Sequence, residues 1–203
     1  MSKKELAVRL SKLKTFENPN VMMEQYPTDS EIAAEVLWFA MLKGDIEGKI
    51  IADFGAGTGT LGIGSLLLGT KKVFFIEKDE KAVQILQENL DFEEISEEKY
   101  VLIKKDLEFF QEKTDVVIQN PPFGTKEKHA DSDFLKKAML TAPVIYTFHK
   151  TETEKFIQEK ANSNSFICTN KFEFNFPIKK IMEHHKKRIE HIKVTCFRFE
   201  KDN

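Results

Sequence analysis

Five short apolar runs recur along the chain: "KIIADF" (49–54), "KVFFIE" (72–77), "YVLIKKD" (100–106), "DVVIQ" (115–119) and "PVIYTFH" (143–149). Apolar runs of this length fit strands covered on both faces, while "DEKAVQILQENLDF" and "TETEKFIQEKAN" repeat their apolar residues at helical spacing. That alternation predicts an α/β fold: a doubly wound, mostly parallel sheet with helices on both faces. Beyond "NSNS" (162–165) the pattern changes, and "FICTNKFEFNF" and "HIKVTCFRFE" read as strands with no amphipathic helix between them. They bring the sheet to seven strands and close it with an antiparallel C-terminal strand.

Ahead of the sheet, Leu6, Leu10 and Leu13 in "KKELAVRLSKLKTF" predict a short amphipathic helix. The Pro-containing loop "ENPNVMMEQYPTDS" then leads to a second helix, for which Thr28 and Glu31 form a capping box and Ile32, Ala33, Val36, Leu37 and Ala40 an apolar face. At 203 residues and 41% hydrophobic, the chain can bury one core. Residues 1–203 therefore read as one domain, with N-terminal helices and a loop over 1–48 and the α/β core over 49–203. The 31 basic and 33 acidic side chains leave a formal net charge of -2, so no overall field announces a nucleic-acid partner. Cys168 and Cys196 lack metal-ligand spacing and "MSKKELAVRL" has no apolar signal core, which points to a reduced, cytoplasmic protein without a metal. Apolar stretches such as "VLWFAML" fall far short of the roughly 20 residues that span a bilayer.

The first strand runs through Asp53 into "FGAGTGTLGIG", with a helix beginning near Thr60. Glycines there let a ligand approach the backbone, and the helix N-terminus offers unpaired N–H groups. The pattern is ambiguous in itself. Gly57, Gly59 and Gly62 satisfy the dinucleotide spacing G-x-G-x-x-G, whereas Asp53, Gly55, Gly57 and Gly59 fit the D-x-G-x-G-x-G of S-adenosylmethionine (SAM) sites. Glu77, closing the second run, can accept from both hydroxyls of a ribose, which supports an adenosine cofactor without choosing between the two. Asp106 closes the third run similarly; it can accept from an adenine amino group or cap a helix.

"QNPPF" at 119–123 separates the alternatives. Two prolines end the fourth strand, so Asn120 faces the crevice at the carboxyl ends of the strands, where open α/β sheets bind their ligands. The exocyclic amine of a nucleobase, or a side-chain amide, is a weak nucleophile that a site must orient. An Asn oxygen and the Pro121 carbonyl can each accept one N–H, with Pro121 and Pro122 holding both acceptors rigid. Phe123 can stack on a base turned out of its helix.

An aspartate and glycines after the first strand, an acid after the second and Asn-Pro-Pro-Phe after the fourth resemble the class I SAM-dependent amino-methyltransferases, whose sheet is Rossmann-like. More specifically, "EQYPT" (24–28), "NPPFGTK" (120–126) and "HKT" (149–151) resemble the small-subunit rRNA adenine-N6 methyltransferases of the methyltransferase-like-five family and their archaeal relatives. The resemblance implies a loop carrying Gln25, Tyr26 and Thr28 that covers the cofactor. It implies further contacts from Asp53, Gly55, Gly57, Thr58, Gly59 and Leu61 of the glycine turn, from Glu77, and from Asp106 with Leu107. Asn120, Pro121, Pro122 and Phe123 become the catalytic set, and Lys126, His149 and Lys150 become RNA contacts. It also implies, for eukaryotic members, a small zinc-binding activator protein that adds a strand to the sheet. The third strand would lie at an edge open to such pairing, and ordinary edge protection by Lys104 and Lys105 is the competing reading.

"PIKKIMEHHKKRIEHIK" gathers Lys179, Lys180, Lys186, Lys187 and Arg188 against few acids, making it the best candidate for phosphate contacts in a chain of balanced charge. Phe172, Phe174 and Phe176 alternate as one buried strand face. The resulting expectation is methyl transfer from SAM to the N6 amine of an adenosine in structured RNA, small-subunit rRNA in particular. The rivals are guanine N2 or protein glutamine as acceptor, or a SAM- and RNA-binding scaffold without turnover.

Overall fold

Alternate residues of the parallel strands enter two separate cores. Ile51, Val116, Ile118 and Tyr146 pack on one face of the sheet, while Ala52, Val117 and Ile145 pack on the other. The computed structural model describes residues 1–16, 27–122, 130–181 and 187–202, with only the backbone described at 130, 178–181 and 187–190. Its strands are β1 (Ile50–Phe54), β2 (Lys72–Ile76), β3 (Tyr100–Ile103), β4 (Val116–Gln119), β5 (Val144–Lys150), β6 (Phe166–Ile181) and β7 (Lys187–Lys201). They form one sheet in the order β3-β2-β1-β4-β5-β7-β6, parallel except for β7, which runs antiparallel to both its neighbours.

The first core buries α1 (Lys3–Leu10), α2 (Ser30–Leu42), α3 (Thr60–Leu67) and α4 (Glu80–Phe92) against the sheet. The second buries α5 (Ala130–Thr141) and α6 (Glu154–Asn162). Leu6, Leu10 and Leu13 are buried as their spacing requires. The capping box at Thr28 is corrected. The helix starts at Ser30, so it is Asp29 that stands at the N-cap, its carboxylate accepting from the Glu31 and Ile32 N–H groups. β3 also ends earlier than its apolar run implied, at Ile103, and Asp106 instead caps the short 3-10 turn Leu107–Phe109.

Phe176 is fully buried, with Phe172 and Phe174 packed partly buried beside it. Cys168 and Cys196 are free thiols. β6 and β7 outrun the sheet. β5 pairs with β7 only as far as Lys150 opposite Val194, so residues 175–181 and 187–193 continue as a two-stranded ribbon past the carboxyl edge. At the usual strand rise that is roughly 20 Å. Among the described residues, no helix is long and apolar enough to cross a membrane, and no group of three or more His, Cys, Asp or Glu could hold a metal ion.

Candidate active site

Strand register lines up the site. Ile76, Phe54 and Gln119 are paired across β2, β1 and β4, so Glu77, Gly55 and Asn120 stand side by side one step beyond the carboxyl ends. The glycine turn between β1 and α3 is held from below and from the side. Gly55 and Ala56 donate to the Ile76 carbonyl, and the Gly57 N–H donates to Glu77 Oε2 at 2.9 Å. Gly55, Gly57 and Gly59 all have positive φ, the conformation glycine adopts without strain. Two glycines do different work beyond that. A Cβ on Gly62 would lie 2.1 Å from the Phe75 ring, so that glycine lets α3 close onto β2, whereas a Cβ on Gly57 would meet nothing nearer than 4.0 Å among the described residues.

Asp53 is 1% exposed and accepts the Gly62 N–H through Oδ2 at 2.8 Å, fixing the first turn of α3 to β1. Burial pushes its carboxyl up to about 7; the Gly62 bond opposes this and the charge of Glu77 adds to it. Glu77 accepts Gly57 N–H and Asp79 N–H, one on each oxygen, at 2.9 Å. Each oxygen keeps a second lone pair for a ligand hydroxyl. Thr58 and Leu61 are buried. Asp106 is exposed, 3.4 Å from Lys78 Nζ, and Leu107 beside it is buried in the second core.

Asn120 follows β4 directly, and its Nδ2 donates to Thr28 Oγ1 at 3.0 Å. Its Oδ1 is buried with no hydrogen-bond partner among the described residues. A buried amide oxygen left unpaired costs free energy, about 1–3 kcal/mol, unless something else supplies a donor. Pro121 is buried and Pro122 half-buried. Gln25, Tyr26, Phe123, Lys126 and Lys186 lie outside the described residues.

His149 does not stand at the surface as the "HKT" motif implied. It is 1% exposed, held between Thr147, at 2.8 Å from Nε2, and Asp131, at 3.5 Å from Nδ1, so it has no face to offer a phosphate. β5 is flanked by β4 and β7 and is therefore interior to the sheet, and inward positions near its end are buried. Lys150 is half-buried, its Nζ 3.5 Å from Glu152. Lys179, Lys180, Lys187 and Arg188 belong to the ribbon, where Lys179 pairs with Ile189 and Lys180 with Arg188 along the backbone.

Sequence reasoning passed over Asn89. Its amide accepts the Lys14 N–H and donates to the carbonyls of Lys14 and Thr58, clamping the segment after α1 to the glycine turn. The signal was a polar residue on the stripe defined by Leu86 and Leu90, both buried.

The dinucleotide fold runs in the order 3-2-1-4-5-6 with its strands parallel. Here a reversed β7 is inserted between β5 and β6, and that insertion defines the class: a Rossmann-like methyltransferase. The chain belongs to the family described as conserved hypothetical protein 95, whose model matches residues 8–171, and to the family that includes METTL5. It is 34% identical to the rRNA N(6)-adenosine-methyltransferase METTL5 of Danio rerio, covering 98% of this chain and 99% of that one. It is 37% identical to the uncharacterized protein MJ0284 of Methanocaldococcus jannaschii, over 99% and 95%. Among solved structures it resembles PH1948 of Pyrococcus horikoshii, a candidate RNA methyltransferase, with a TM-score of 0.92 and 43% identity over 100% and 99% of the two chains.

Proposed function

We propose that the protein transfers a methyl group from SAM to the exocyclic N6 amine of an adenosine in structured RNA, in particular small-subunit rRNA in the cytoplasm. The reading rests on one observation above the others: a buried Asn120 Oδ1, without a hydrogen-bond partner among the described residues, level with Glu77 and Gly55 at the carboxyl edge. The rRNA adenosine specificity in the name of METTL5 supports adenine as the base.

The described residues fit the cofactor. No described atom lies nearer than 4.0 Å to a Cβ placed on Gly57, which favours a ligand against that backbone, and Glu77 retains acceptor capacity for ribose hydroxyls. Asp53 and the glycine turn would hold the methionine end, Asp106 and Leu107 the adenine, and Gln25, Tyr26 and Thr28 would cover the site. Bound SAM supplies an electrophilic methyl group on its sulfonium. Asn120 Oδ1 and the Pro121 carbonyl each accept one N–H of the target amine, which turns the nitrogen's electron density out of the ring plane. With SAM bound, the nitrogen held by these two acceptors would take the methyl carbon as the carbon–sulfur bond breaks, and one N–H proton would then pass to water. Two acceptors fixed side by side select for an NH2 group and need no base beforehand.

The ribbon carrying Lys179, Lys180, Lys187 and Arg188 extends past the same edge of the sheet as Asn120, which favours it as the RNA phosphate contact. At the opposite end, β3 is an edge strand, with Phe92 and Phe109 exposed shortly before and after it in the chain. That edge suits a small zinc-binding activator protein that adds a strand. The test of function is incubation with labelled SAM and ribosomal subunits, followed by nucleoside analysis. Label in N6-methyladenosine, absent with Asn120→Ala, is the expected result; label in N2-methylguanine or in glutamine, or no label, overturns the reading.

A further inference from the structure

The imidazole removed from the RNA surface has another place to act. His149 Nε2 lies 2.8 Å from Thr147 Oγ1, and Thr147 Oγ1 accepts from Gln119 Nε2 at 2.9 Å. Gln119 is the last residue of β4 and the direct neighbour of Asn120, and it stands opposite Thr147 in the β4–β5 register. On its other side, His149 Nδ1 is 3.5 Å from Asp131 Oδ2 in the first turn of α5. Gln119, Thr147 and His149 are each at most 1% exposed, so water does not compete for these contacts. The ring packs against Phe197 of β7.

Proton positions follow from the chain of partners. Thr147 receives the Gln119 amide proton, so its own hydroxyl proton points to His149 Nε2. The neutral imidazole then carries its proton on Nδ1, facing the Asp131 carboxylate. Burial pushes the His149 pKa down, against Asp131, while the contact with His149 holds the Asp131 carboxyl below its ordinary range. Neutral imidazole beside ionised carboxylate is the state both shifts favour. At 3.5 Å the Nδ1 proton of the neutral ring faces the carboxylate as a dipole, longer than a well-formed hydrogen bond, and the other Asp131 oxygen accepts the Ser132 N–H at 2.9 Å.

We propose that His149 is a positioning residue for methyl transfer, tying together through one buried imidazole the two ends of the stretch between β4 and α5. One end bears Asn120; the other is the first turn of α5. The inference rests on the functional reading above, because it assigns the tether to the acceptor corner of that reaction. A residue that holds the corner is worth activity without touching substrate: displacement of a reacting group by about 1 Å costs up to about a hundredfold in rate.

Thr147→Val tests it best, since it keeps the shape, leaves the imidazole in place and removes the hydroxyl that both Gln119 and His149 use. With RNA and SAM saturating, Thr147→Val is expected to lower kcat about tenfold or more while KM for SAM stays within about twofold, and Thr147→Ser is expected to restore kcat. In the free protein, hydrogen exchange at the Asn120 and Ser132 amides is expected to speed up together in Thr147→Val and His149→Asn, with β1 and β2 unaffected. Unchanged kcat, a fall in SAM affinity matching the fall in kcat, or unchanged exchange at those two amides overturns the tether. A wild-type protein inactive on RNA overturns the functional reading instead, and exchange still decides the tether.

Discussion

The Asn120 amide donates to the Thr28 hydroxyl at 3.0 Å across 92 residues of sequence, and its own carbonyl oxygen is buried without a partner among the described residues. Thr28 precedes the N-cap of α2, so the first helical layer holds the amide by its nitrogen and leaves the acceptor oxygen for a ligand. Asn120→Ala is expected to lower kcat at least about a hundredfold with SAM affinity within twofold of wild type. Thr28→Val, which frees the amide nitrogen and keeps the acceptor oxygen, should lower kcat by less than Asn120→Ala, with any change in SAM affinity reporting the part Thr28 plays over the cofactor. Single-turnover methylation alongside calorimetric SAM titration measures both.

Asp53 gives a signed pH dependence. The folded chain holds its proton up to about pH 7, whereas the unfolded chain releases it near 3.8. Its contribution to stability is thus full below about pH 4 and is lost as pH rises through 7, amounting to about 4 kcal/mol at most. In urea denaturation, Asp53→Asn should gain stability over wild type between pH 4 and 8, the gain growing with pH. A cationic ligand favours the carboxylate, so wild-type SAM affinity should rise with pH through about 7 and that of Asp53→Asn should not.

Gly62 and Gly57 should separate folding from binding. Gly62→Ala drives a methyl into the Phe75 ring and is expected to cost about 1–3 kcal/mol or to prevent folding. Gly57→Ala meets no described atom nearer than 4.0 Å and sits at φ +55°, so it should cost about 1–2 kcal/mol of backbone strain, keep the fold and weaken SAM binding. Thermal melts with and without SAM distinguish them.

Replacing Lys186, Lys187 and Arg188 together by Ala should weaken RNA binding and flatten its salt dependence, by nearly one unit of slope for each phosphate that is no longer neutralised, with SAM affinity unchanged. A fluorescence titration across salt concentrations reads the slope.

Arg198 braces β7 against β5, in register with Tyr146 and through it with Ile118 of β4. Its guanidinium binds Asp45 at 2.8 Å, Thr169 at 2.7 Å and Glu200 at 2.6 Å, and Tyr146 donates to the same Asp45 at 2.6 Å. Arg198→Ala leaves a buried carboxylate without its cation and should cost about 3–5 kcal/mol in urea denaturation. Arg198→Lys should recover only part, since an ammonium cannot bridge three partners in a plane.

Local order carried much of the design. Apolar runs alternating with helical repeats specify a parallel sheet with two helical layers, because each period must bury its own face. Gly55, Gly57 and Gly59 before α3, Glu77 after β2 and Asn120 with Pro121 after β4 are legible for the same reason, since strand ends in this fold share one edge. Partners distant in sequence are not written in any period. Asp29 takes the cap that the Thr28–Glu31 spacing predicts for Thr28, and the Thr28 hydroxyl accepts from Asn120 instead. His149, expected as an RNA contact, is buried because β7 lies beside β5, and it meets Asp131 only where α5 packs over that face. Sequence by itself determined which chemical groups reach the carboxyl edge; tertiary packing decided which of them remain paired and which, like Asn120 Oδ1, stay open, because burial and donor supply depend on the elements stacked above.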